Sequence, residues 1–157
     1  MALFVPGVRP VESVVRALGE TPDANYLWCR QIMKPRLYSL GRMASALNRY
    51  HDTSWGTRNV VVVVTEAAIT LAPAIGLNYD EESMVLHSVV VKRADEEQFQ
   101  LTEKNDTAQF YFVANGRFYA FVVSKRPVAN GEYILDNLRT LKANGFNGRV
   151  KPKSLVK

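Results

Sequence analysis

Apolar residues recur at helical spacing near the two ends of this chain and in continuous β-branched or aromatic runs through its middle. In residues 10–18 they fall at 11, 14, 15 and 18, the stripe of a short amphipathic helix opened by Pro10 and closed by Gly19. A second helical pattern runs from Thr21-Pro22-Asp23 to residue 50. Thr21 is suited to the N-cap, Pro22 to the first helical position and Asp23 to the positive end of the helix dipole. Tyr26, Cys29, Met33, Leu37, Leu40, Ala44 and Leu47 then share one stripe. Pro35 predicts a kink or two consecutive helices, and Gly41 weakens the second half.

The pattern changes after a turn-rich stretch at 51–57. Residues 60–65 are β-branched throughout, the mark of a strand covered on both faces. Residues 67–76 are apolar but unperiodic around Pro73, and predict a packed loop or short helix. Residues 84–92 predict a second valine-rich strand with His87 inside it. Two aromatic runs, 109–113 and 117–123, flank Ala114-Asn115-Gly116, and Asn-Gly between such runs predicts a tight hairpin. Residues 131–142 return to helical spacing through Ile134, Leu135, Leu138 and Leu141, with Asn144-Gly145 suited to the C-cap. Ala-Asn-Gly occurs three times in unlike surroundings, which reads as one good turn sequence reused. The expectation is an α+β fold: N-terminal helices, a mostly antiparallel sheet of four or five strands, a C-terminal helix and a basic tail.

At 157 residues, with 47% apolar and 22% charged, the chain has the size and balance of a single domain over 1–157, its tail at 147–157 excepted. Cys29 is the one cysteine, and His51 and His87 are the two histidines. That is too few ligands for a structural zinc site, and no disulfide can form within the chain. Phosphate-loop and dinucleotide fingerprints are absent, so no cofactor or metal is expected. The acidic clusters 80–82 and 95–97 read as solvated turns flanking the second strand. Pro6 and Gly7 break the N-terminal apolar run, unlike a secretory signal, and no run approaches the roughly 20 apolar residues of a membrane helix. A cytoplasmic location in the producing cell, or a virion, is expected.

Charge changes the picture because it is uneven. Residues 1–58 carry net +4, residues 59–106 net −6 and residues 107–157 net +7. The acidic middle either forms a pole of its own or faces the basic ends. On the expected long helix Arg30, Lys34, Arg42 and Arg49 lie beside the apolar stripe, though a kink at Pro35 turns the first two away from the others. Tyr38, Tyr50 and Trp55 are near in sequence, and Arg149, Lys151 and Lys153 stand in the tail. Basic side chains neutralise phosphates and aromatic rings stack on bases, a combination compatible with nucleic-acid binding. Catalytic candidates are thinner. His51-Asp52-x-Ser54 holds triad residue types without a nucleophile elbow, and Cys29 sits on an apolar stripe where a thiol is an inert small hydrophobe. The leading expectation is a non-enzymatic binding or assembly protein, of the kind found in viruses and phages. It would contact nucleic acid or an acidic protein surface through its basic N- and C-terminal segments. The alternatives are a small enzyme whose site is assembled from sequence-distant residues, and a homo-oligomeric structural subunit.

Overall fold

Val11, Val14 and Val15 are fully buried on one side of α1 (Val8–Ala17), the helix expected over 10–18. It ends at Leu18, and Gly19 follows at φ 88, a left-handed conformation that costs glycine nothing. The Glu20 amide then donates to the Val15 carbonyl (3.1 Å) and the Gly19 amide to that of Arg16 (2.9 Å), satisfying carbonyls the helix end leaves over. The computed structural model describes residues 5–32, 57–74, 80–126, 129–143 and 146.

Among these residues the architecture is α+β, with seven strands in one antiparallel sheet. They are β1 (Tyr26–Ile32), β2 (Thr57–Val64), β3 (Ala68–Pro73), β4 (Val89–Lys92), β5 (Glu96–Glu103), β6 (Thr107–Ala114) and β7 (Arg117–Ser124). Two further helices are α2 (Glu81–Leu86) and α3 (Glu132–Ala143). The strand order is β4-β3-β2-β1-β7-β6-β5: two meanders joined where the first strand pairs with the last. Among the described residues that join registers Arg30 opposite Val122 and Gln31 opposite Phe121.

Several sequence expectations are corrected. Residues 26–32 form β1 rather than the first turns of a long helix, so Arg30 lies on a strand. The segment before it is a turn, with Ala24 at φ 54 and the Asp23 amide bonded to the Asn25 side chain (2.9 Å). Six of the seven β1 residues are buried, so both faces carry apolar side chains and the period-two alternation that marks a strand is lost. Residues 68–73 form β3, again buried on both faces, where a loop or short helix was expected. Residues 84–92 divide into the end of α2 and the four-residue β4, with His87 capping the helix instead of lying within a strand. Among the described residues the strands therefore number seven rather than four or five. Val60 to Val64 are all fully exposed to no solvent, as their β-branched run requires. The Asn115-Gly116 turn, at φ 53 and φ 75, sets β6 against β7 with Phe110 opposite Phe121 and Phe112 opposite Tyr119.

The order of the strands forces the sheet to curl. β4 and β5 lie at opposite edges, which in a flat sheet stand about 29 Å apart, six steps of about 4.8 Å. Only the 3₁₀ turn Arg93–Asp95 connects them, and it reaches about 14 Å at most. The strands must wrap until the two edges meet at this corner, a sharp bend of the kind that carries a strand from one sheet direction to another. Residues paired across strands share a face, which places Leu27, Cys29, Val60, Val62, Phe110, Phe112, Phe121 and Val123 together. That face is buried through its middle and is the enclosed one. Phe146, just past α3, packs its ring against Phe99 (5.0 Å) and Phe110 (5.6 Å) there. The opposite face is mixed, with Trp28 and Val61 buried but Val90 exposed. Asn137 of α3 donates to the Tyr26 carbonyl (3.0 Å), and the Tyr133 hydroxyl donates to that of Pro6 (3.0 Å), tying α3 to β1 and to the approach of α1.

A buried ion pair fixes the corner. Arg93 Nε lies 2.9 Å from Glu96 Oε1, and the two side chains are 3% and 1% exposed. Arg93 also donates through Nη1 to the Thr65 carbonyl (2.8 Å), and its amide to that of Ala67 (2.9 Å), so the turn stays bonded to the β2–β3 connection. Glu96 is thus a buried partner of arginine, not part of a solvated acidic turn. Arg93→Met strands a buried carboxylate and is expected to lower stability by about 3–5 kcal/mol, and Arg93→Met with Glu96→Leu recovers most of it; urea denaturation of the two variants measures the difference. Gly116→Ala meets no atom within 4 Å of the added carbon, so its cost is backbone alone. Unfolding should show a loss of about 1–2 kcal/mol with an unchanged fold.

Candidate anion-binding site

The register brings the end of β1 and the starts of β2 and β7 to one end of the sheet, and each contributes an arginine. Arg58, second in β2, lies opposite Gln31 on the enclosed face and donates through Nε to Gln31 Oε1 (3.1 Å). Spending Nε on Gln31 leaves both terminal nitrogens of the guanidinium for another acceptor. Gln31 is itself only 7% exposed, so it is a fixed support. Arg117 opens β7 on the same face, its guanidinium carbon 6.0 Å from the centre of the Tyr119 ring. Tyr119 in turn stacks on Phe112 (5.2 Å), which holds the ring in place beneath the cation.

These two cations lie close enough to disturb one another. Burial lowers the pKa of Arg58 from its ordinary value, and the positive charge of Arg117 lowers it further. Arg30 joins them from the opposite face of β1, partly exposed and registered against Asn59 and Val122. Among the described residues no carboxylate forms an ion pair with Arg30, Arg58 or Arg117.

Elsewhere the basic and acidic segments neutralise each other. Lys125 and Lys142 both bind Glu103, the former at 2.9 Å, and Arg126 binds Asp106 at 3.0 Å. Three basic residues of the C-terminal segment therefore bind the acidic middle, part of the intramolecular arrangement that the charge pattern left open. Arg30 stands at the arginine end of the sheet. Lys34, Arg42, Arg49, Arg149, Lys151 and Lys153 lie outside the described residues, as do His51 and the expected basic tail. Sequence reasoning passed over Arg58 and Arg117. Arg117 heads its strand beside a turn and Arg58 is second in its own, but only the pairing of β1 with both β2 and β7 brings them to one end of the sheet.

The catalytic candidates fare poorly. Cys29 is buried, and burial pushes its thiol pKa up, away from the reactive thiolate. His87 is exposed at the end of α2, its Nδ1 2.9 Å from the Ser83 carbonyl oxygen. Burial and a bond to Glu12 push the Tyr26 hydroxyl up to about 12, so it stays protonated as a structural donor. Among the described residues no three His, Cys, Asp or Glu side chains gather to hold a metal. No helix there is long and apolar enough to cross a membrane. A cavity of about 220 Å³ beside Ser124, Arg126, Glu132 and Asp136 lacks a nucleophile paired with a base.

Burial raises the Glu103 carboxyl, but bonds from Lys142 and Lys125 outweigh it and hold the group below the usual carboxylate range. A carboxyl lowered by folding contributes stability above its unfolded pKa and loses it as pH falls through the folded value. Urea midpoints measured from pH 6 down to about pH 3 should therefore fall less steeply for Glu103→Gln than for the unmodified protein. No protein-family model, curated protein or solved structure matches this chain.

Proposed function

We propose that this protein is a non-enzymatic nucleic-acid-binding protein that grips phosphates with the arginine end of its curled sheet. The observation that carries this reading is the pair Arg58 and Arg117, set on one face at one end of the sheet and ion-paired with no carboxylate among the described residues. Like charges placed together raise the energy of the unliganded protein, and an anion between them relieves it. Arginine suits the task because its planar fork matches phosphate geometry. Arg30 adds a third cation at the same end of the sheet. The chain that joins β1 to β2 starts and finishes there, and it carries Lys34, Arg42 and Arg49.

A homo-oligomeric subunit is the second reading. It draws on Leu86, Val89 and Val90, which are 79%, 40% and 62% exposed around the edge strand β4. Light scattering separates the two, since the first reading needs no change in mass with concentration.

Fluorescence anisotropy with labelled single-stranded DNA, duplex DNA and RNA tests the nucleic-acid reading. With three single-strand phosphate contacts, affinity should drop roughly 20-fold between about 50 and 200 mM salt. The triple variant Arg30→Ala, Arg58→Ala, Arg117→Ala should bind more weakly and with a shallower salt slope. Absence of binding to all three nucleic acids at low salt would refute the reading.

A further inference from the structure

We infer that two copies of this chain pair edge to edge through β4, antiparallel about a two-fold axis at Val90, to form a closed dimer. The inference rests on the second reading above, the homo-oligomeric subunit, and is independent of the arginine end. β4 pairs with β3 on one side, and among the described residues no strand pairs with its other side. An open edge offers a row of backbone donors and acceptors to another strand, so edges are commonly guarded by charges or bulges. β5, at the opposite edge, has both: its register shifts between Glu97 and Gln100, and Glu97 is exposed. Over Val89 to Val91, β4 has no charge and keeps an unbroken register.

Geometry selects the register. Residues opposite one another across a strand pair share a face, so a two-fold axis must pass through Val89, Val90 or Val91. An axis at Val89 runs the second strand into α2, and one at Val91 runs it into the Arg93–Asp95 turn. Only the axis at Val90 uses the whole of β4. It sets Val90, the most exposed of the three, beside its own counterpart, with Val89 opposite Val91 and Ser88 opposite Lys92.

Charge selects a second copy as the occupant. Asp80, Glu81 and Glu82 open α2, no basic residue lies in its last turn, and Lys92 is exposed at the end of β4. The surface thus runs from acidic through apolar to basic along the chain. Antiparallel self-pairing brings Lys92 of each copy to the α2 side of the other and holds the two acidic ends apart. Parallel pairing would set like charges side by side. Area sets the strength. Leu86, Val89 and Val90 form a patch of roughly 300 Å², well under the roughly 800 Å² that each partner gives to a standard interface. The dimer is therefore weak and forms at high protein concentration.

Sedimentation equilibrium of the full chain from about 1 to about 500 µM tests the pairing. The mass should rise from one chain towards two and stop there. Val90→Lys places a charge on the axis at a side chain already 62% exposed, so the fold should survive, as circular dichroism would show. That variant should stay at one chain throughout. Val90→Cys should be joined into a covalent dimer by a short bifunctional maleimide, while Glu97→Cys on the β5 edge should not. Cys29 is buried and does not compete. Self-association that survives Val90→Lys, mass beyond two chains, or failure of Val90→Cys to be joined would overturn the β4 pairing and leave an oligomer built through another surface. A single-chain mass at every concentration would overturn both.

Discussion

The rest of the structure depends on a shortage of chain. Three residues connect the two outermost strands of a seven-stranded sheet, so the sheet cannot lie flat, and every other arrangement follows from that shortage. One face must be enclosed, hence the phenylalanines that β5, β6 and β7 place there and the continuous valines of β2. At the corner the Arg93 and Glu96 side chains cannot reach water, so their polar groups must satisfy each other and nearby carbonyls. β2 and β7 flank β1 on its two sides, and that pairing sets Arg58 and Arg117 on one face at one end of the sheet.

Local signals were legible where chemistry and backbone agree. Asn115-Gly116 is such a case, because both residues tolerate the positive φ the turn demands, and the aromatic runs on either side have no competing pattern. So are the valine stripe of α1, closed by Gly19, and the leucine stripe of α3. Legibility failed where burial on both faces erased periodicity. In β1, Tyr26 and Cys29 fit a helical stripe only because almost any spacing does when nearly every position is apolar. β3 failed for the same reason. α2 failed because six residues starting in an acidic run give too short a sample to show a period.

The candidate site was half legible. Arg30 was singled out for its charge, but on the wrong element and beside the wrong companions. Its neighbours Arg58 and Arg117 are separated from it by 28 and 87 positions, and hydrogen bonding between strands alone brings them near. Charge counts along a sequence record how much of each sign is present. Which cations remain after ion pairing is a property of the folded chain. Here Glu103 and Asp106 engage Lys125, Lys142 and Arg126, leaving the arginine end with its charge.

The join between β1 and β7 sets the order in which the chain can fold. Each meander is built from neighbours in sequence, and its strands connect over short loops or, in two cases, longer stretches. Residues 30 and 122 meet only after nearly the whole chain has left the ribosome. Until then β1 keeps one edge unpaired and the enclosed face stays open along its length. The loop-closure entropy of that late contact makes sheet closure the slow step of folding. An N-terminal fragment that stops before β7 would expose an unpaired strand edge and an apolar face, the two features that drive newly made chains to aggregate.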